Sequence, residues 1–266
     1  MPASPPTSDW SQSFTTYGPF HGMVVVVILG LVALWCVVGW NLLKEDSRDG
    51  MQLGMEGREF HLRRIIAWTI IGTQGFIFVR RMVYFDVQES LPMHLCRLGV
   101  WIAAWTLWSL DRHARALTLF WGIGLSTQVL FTPFLTEGYG SITFWIYWIN
   151  HLQIVGVAVY DIAVLGYRPT WKDLRFASIT GLVFSGSVIA LNAILGTNYS
   201  YLGSGTHEGI SIVDKFGPYP IRTLWMSVGS LTIFAMIYGV SKLLTTIRVR
   251  VLKKTPVREI TPVSGR

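Results

Sequence analysis

One stretch decides the class of this chain. "GMVVVVILGLVALWCVVGWNLL", residues 22–43, holds no charged side chain across its whole length. A helix of about 20 mostly apolar residues crosses the ~30 Å hydrocarbon core of a bilayer, and in lipid a helix satisfies its backbone polar groups internally. A secretory signal does not account for the run: residues 1–19 contain no Lys or Arg, and the apolar stretch is too long for a signal core. The rest of the chain agrees, with 14% charged residues against about 25% in soluble domains. The sequence reads as an integral membrane protein.

Hydropathy places about seven spans, near 20–43, 63–84, 91–110, 115–134, 141–165, 173–195 and 221–245. The expected fold class is therefore all-α, a polytopic bundle of about seven transmembrane helices. It forms one domain over 20–245, with a polar N-terminal arm (1–19) and a basic tail (246–266). Lys and Arg counts orient it. The 44–64 connection carries five, the 111–115 link two, the 166–175 link three and the chain from Lys242 onward seven. On the other side, the arm and the 135–140 loop carry none and the 196–220 loop only Lys215. The N-terminus is expected outside and the C-terminus in the cytoplasm, with the basic tail against anionic lipid. The expected location is the bacterial inner membrane.

The net charge of +7 thus belongs to topology. No soluble segment interleaves basic and aromatic residues, so nucleic acid is not an expected partner. Membrane lipids are, with other membrane proteins as the alternative. Cys36 and Cys96 fall in separate spans, which argues against a disulfide framework.

In this topology the polar residues within spans gather in the outer half. The third helix is expected to start at Pro92, with Cys96 one turn in. On the fifth helix, Tyr147, Asn150, His151, Ile154, Ala158 and Asp161 share a face by their spacing. Gln128 lies in the outer half of the fourth helix, Asn192 near the outer end of the sixth, Arg80 and Arg81 at the end of the second, and Arg222 at the start of the seventh. Singly, each has a structural use, because Ser and Asn bridge helices and interfacial arginines snorkel. As a set they point to a polar site beneath the Gly-rich loop 196–220. Asn198-Tyr199-Ser200 also fits a glycosylation sequon.

Several chemistries compete for this site. Cys96, near a helix N-terminus and beside Arg97, suits a thiolate nucleophile. On a helix, His94 lies about 200° away from it and does not face it. His151 is the expected base, with Tyr147 or Asn150 orienting it. The alternative is that His94 and His151 carry the chemistry while Cys96 packs. Arg81, Arg97 or Arg222 would hold a phosphate or oxyanion, and Gln128, Asn192, Asn198 and Tyr199 complete the expected lining. A bis-His haem on His94 and His151 is the alternative, but each helix has one His and there is no HExxH or paired-Cys spacing; no cofactor is expected. A retinal protein needs a lysine inside a span, and the last helix has only Lys242, at its end. No repeated half suggests a transporter.

Four stretches carry a resemblance: "LPMHLC" (91–96), "INHLQIVGVAVYD" (149–161), "LNAILGTNYSYL" (191–202) and "FGPYP" (216–220). Together they resemble the YwaF/transmembrane protein 164 family over roughly residues 60–245. The resemblance implies acyl transfer onto ether phospholipids through a cysteine nucleophile, the activity associated with the eukaryotic branch. The pattern differs at one point, since the eukaryotic branch sets Cys directly before His, whereas here Met93 precedes His94 and the thiol follows at Cys96. The expected function is acyl transfer on a membrane phospholipid, the alternative an accessory or cofactor-binding subunit of a larger membrane complex.

Overall fold

The computed structural model describes residues 10–51, 56–88, 90–204 and 212–254. The first nine residues of the expected arm, loop residues 205–211 with His207, and the tail beyond 254 lie outside the described residues. Among the described residues the protein is all-helical, with α1 (Pro19–Arg48), α2 (Arg58–Val83), α3 (Leu95–Ser109), α4 (Arg112–Leu117), α5 (Ile142–Ala163), α6 (Trp171–Leu195) and α7 (Ile221–Lys254). α4 continues without a break into a π-helical stretch (Thr118–Ser126) and a 3-10 turn (Thr127–Leu130). Each expected span meets a helical segment. Five of them (α1, α2, α5, α6 and α7) are long and apolar enough to cross a bilayer. α3, at 15 residues, extends only about 22 Å at 1.5 Å per residue.

Several boundaries differ from the hydropathy reading, and a polar contact explains the largest shift. The 44–64 connection is mostly helix, because α1 runs on to Arg48 and α2 begins at Arg58. The buried Asp46 carboxylate accepts the backbone N–H groups of Arg58 and Glu59, both at 2.9 Å, and so caps α2 from α1. Gly57 permits this approach with φ 102°, and a Cβ there would lie 2.5 Å from an Asp46 oxygen. At the other end of the chain α7 continues through the expected tail boundary to Lys254.

Successive helices alternate in direction, so the bundle has two chemically different ends. The charged end joins six helices. Tyr160 on α5 donates to Glu59 at 2.9 Å, and Arg63 pairs with the same carboxylate at 3.4 Å while donating to the Leu107 carbonyl of α3. Arg115 grips Asp161 through Nε at 3.0 Å and Nη2 at 2.7 Å. Arg112 holds Asp173 at 2.9 and 2.6 Å, where Asp173 also closes a capping box with Thr170 at the start of α6. The Arg115 guanidinium lies 4.7 Å over the Tyr167 ring, and burial pushes the Tyr167 phenol above its ordinary range.

Between the two ends the packing is apolar. α5 is the central helix, with 56% of its most apolar stretch buried, against 11% for α6 and for α7. Ala67, Val100, Ala103, Ala104, Leu107, Ile154 and Val157 form the main core between α2, α3 and α5. Small residues there let backbones approach, the main source of helix association in lipid. Gly122 and Gly124 do the same in the π-helical stretch: a Cβ on the first would lie 3.2 Å from Ala158 and Ile154 of α5, and on the second 3.1 Å from Phe234 of α7.

At the arm end, residues 10–14 pair with the α4–α5 loop. Phe14 N donates to Thr136 O at 2.7 Å, Gly138 N to Gln12 O at 3.1 Å and Gly140 N to Ser11 O at 2.8 Å. Trp10, Phe14, Phe20, Phe144 and Trp148 pack beneath as an aromatic cluster.

The Arg115–Asp161 pair, whose carboxylate is buried, yields a test of the charged end. Arg115→Ala should cost about 3–5 kcal/mol by stranding the Asp161 carboxylate. The apolar pair Arg115→Met with Asp161→Leu should recover most of that loss, as measured by thermal unfolding in detergent.

Candidate functional site

The site candidates converge at the arm end, where the chain departs from regular helix. α3 does not start at Pro92 but at Leu95, and His94 is its N-cap with φ −81° and ψ 133° and no cap from its own side chain. The 200° helical angle between His94 and Cys96 therefore does not apply. Cys96 is the second residue of the helix, within its first turn.

The missing cap comes from a distant turn. Ser200 Oγ accepts the Leu95 N–H at 3.1 Å and donates to the Met93 carbonyl at 2.9 Å, while Ser200 N–H donates to His94 Nδ1 at 3.4 Å. Ser200 and Tyr201 both hold left-handed backbone, with φ 54° and 61°. Non-glycine residues held there cost about 1–3 kcal/mol each and persist only where surroundings over-determine them. Here α6 and α7 supply the constraint. Asn192 of α6 accepts Thr197 Oγ1 at 2.8 Å and Tyr199 N at 2.9 Å, and donates to Tyr199 O at 3.1 Å. Buried Arg222 of α7 donates to Tyr201 O at 3.1 Å, to Gly203 O and to Asn198 Oδ1 at 3.4 Å. Asn198 Oδ1 also accepts Gly203 N at 2.9 Å. Thus Asn192, Asn198 and Arg222 engage the turn itself, and both polar ends of the sequon are held in the same structure.

A line of rings leads from this turn to α5. The His94 ring meets Tyr199 at 5.5 Å and Tyr201 at 6.3 Å, and Tyr201 stacks on Phe134 at 4.5 Å. Phe134 N donates to the Tyr147 hydroxyl at 3.0 Å, and the Tyr147 ring lies 4.5 Å from that of His151. The Tyr147 phenol is within electrostatic range of both Tyr201 and Cys96. Arg81 and Arg97 flank both His94 and Cys96, and the Cys96 sulfur lies against its own N–H and that of Arg97. Cys96 is half-buried.

His151 is buried, and its Nδ1 lies 2.7 Å from the Tyr147 carbonyl. A carbonyl only accepts, so Nδ1 carries the proton and the Nε2 lone pair is left for chemistry. Asn150 does not orient this ring. It turns to α2, where Gln74 Nε2 donates to its Oδ1 at 2.8 Å and to Gln153 at 3.3 Å. Gln128 sits in the 3-10 turn, its carbonyl accepting from Phe131 and Thr132. His94 and His151 do not fit a bis-His haem: the Ser200 amide occupies the Nδ1 lone pair of His94, which puts the proton on Nε2. No group of three or more His, Cys, Asp or Glu suited to a metal ion occurs among the described residues. Ser200, absent from the sequence-based site, is the residue that ties the loop to the helix; its stretch was marked by the sequon, by the 191–202 motif and by Asn198 and Tyr199 beside it.

Apolar helices that present large hydrophobic side chains outward, with polar groups drawn to the two ends, define an α-helical integral membrane protein. The chain belongs to the TMEM164 family, whose profile matches residues 16–238. Neither a curated protein nor a solved structure matches it.

The turn gives a direct prediction. Arg222→Ala should speed amide hydrogen exchange and proteolysis within 197–203 by at least about tenfold, the equivalent of 1.4 kcal/mol of lost protection. Arg222→Lys should not restore it, because an ammonium lacks the fork that spans separate acceptors.

Proposed function

We propose that this protein is an acyltransferase acting on a membrane phospholipid, with Cys96 as nucleophile and His151 as base. The observation that carries the reading is the His151 ring, held by the Tyr147 carbonyl with its Nε2 lone pair uncommitted. The family resemblance supplies the reaction class and the helix start supplies the thiol environment.

The chemistry balances in two steps. His151 Nε2 takes the Cys96 thiol proton as sulfur attacks the carbonyl carbon of an acyl ester. The tetrahedral oxyanion collapses, the ester C–O bond breaks, and the same proton passes to the departing oxygen, leaving a thioester. A lysophospholipid hydroxyl then gives its proton to His151 and attacks the thioester, and the released thiolate regains that proton. Arg81 and Arg97 balance the phosphate or the oxyanion, while Arg222 serves by holding the turn.

The same reading takes the bundle as seven crossings with the N-terminus outside. α3 is preceded by the non-helical residues 90–94, which lengthen its crossing, and α4 with its π and 3-10 continuation adds a seventh segment over 112–130. The cation–aromatic pairs Lys44–Trp40 (4.7 Å), Arg64–Trp108 (3.6 Å) and Lys242–Tyr238 (5.6 Å) all lie at the charged end and suit a cytoplasmic headgroup layer.

Purified protein in vesicles holding a lysophospholipid and an isotopically labelled diacyl phospholipid should move label onto the lysophospholipid. Cys96→Ala and His151→Ala should each lower that rate by at least about a thousandfold, as expected for members of one catalytic unit. Unchanged label transfer in either variant would refute the assignment.

A further inference from the structure

The two histidines of the site are held in opposite tautomers, and the partner that dictates each is a backbone group whose role is not negotiable. At His151 the partner is a carbonyl, which only accepts, so the proton sits on Nδ1 and Nε2 is an acceptor. At His94 the partner is the Ser200 amide, which only donates, so Nδ1 is the acceptor and Nε2 carries the proton. From this we propose that the pair divides the labour: His151 takes protons, and His94, through Nε2–H, donates a hydrogen bond to the oxyanion that forms at the acyl carbon. The inference rests on the acyl-transfer reading and adds a role for His94 that residue spacing does not assign.

The surroundings hold the His94 tautomer in place. Its ring is bracketed by Tyr199 and Tyr201. The amide it accepts from belongs to a residue in left-handed backbone that is itself tied to α3 by two further bonds through Ser200 Oγ. Accepting the Ser200 N–H requires an Nδ1 lone pair, which an imidazolium lacks, so His94 is a neutral donor. A neutral donor fits an oxyanion step that turns over repeatedly, because it gives up no proton and needs none returned. Ser200 is the positioning residue, acting through His94.

Asparagine and glutamine separate the two nitrogens. His94→Asn keeps an acceptor near the Nδ1 position for the Ser200 amide but loses the Nε2 donor; His94→Gln keeps a donor near Nε2. In the vesicle assay His94→Gln should stay within about tenfold of wild type, while His94→Asn should lose about 100- to 1,000-fold, the usual cost of one oxyanion donor. Nitrogen-15 NMR of histidine-labelled protein in detergent, assigned by the same variants, should show pyridine-type Nδ1 at His94 and pyrrole-type Nδ1 at His151. Matching tautomers at the two rings would overturn the inference whatever the activity, as would His94→Gln being as slow as His94→Asn with an unchanged melting temperature. Wild-type protein that transfers no label, yet shows opposite tautomers, would instead overturn the acyl-transfer reading and remove the catalytic role of His94 with it.

Discussion

Buried charge that must be paired sets the arrangement of this bundle. An isolated carboxylate or guanidinium within a low-dielectric interior costs several kcal/mol, and stranding one by removing its partner costs about 3–5. Glu59, Arg63, Asp161, Arg115 and Asp173 are each nearly or largely buried at one end. Each pairing crosses between helices or within α2, so α2, α4, α5 or α6 would strand a charge if it misplaced its register. Apolar packing in lipid has no such directional demand, since one greasy face suits another. The ionic end therefore specifies which helices are neighbours, and the small residues of the core decide how closely they sit.

With one end so constrained, the other is free to be built from backbone groups. A seven-residue turn, 197–203, is bound by Asn192 and Arg222 and in turn caps α3 and addresses His94. Three helices thus meet the site through a single turn. Its left-handed residues are tolerated because their amides and carbonyls are almost all spoken for.

Much of the fold was legible in the sequence, and the reason is the strength of the lipid constraint. Runs such as 22–43 have one viable outcome, and all seven expected positions hold helix. The charged end was less legible. Asp161 read as one more polar residue on the His151 face, and the basic residues of 44–64 counted only towards orientation, because periodicity says which way a side chain points and not what it will meet. At the site, helical spacing would set His94 about 200° from Cys96 only if His94 lay within the helix. It is the N-cap, and its helix is capped by Ser200, more than 100 positions away, a contact that local pattern does not encode. Asn150 lay on the expected face and still turned to Gln74. Tyr147 does orient His151, through its main-chain carbonyl and not its hydroxyl.

The π-helical stretch has a consequence for how this segment can vary. A π-turn closes its hydrogen bonds five residues back and so accommodates one more residue per turn than an α-helix. Thr118–Ser126 is in that sense a held insertion, and removing one residue would return it to α geometry while rotating all that follows by about 100°. Gly122 and Gly124 would no longer face α5 and α7 together, and Gln128 through Phe134 would arrive at the arm end on another side of the axis. The length of this segment is thus constrained more tightly than its composition, and substitutions should be tolerated there where deletions are not.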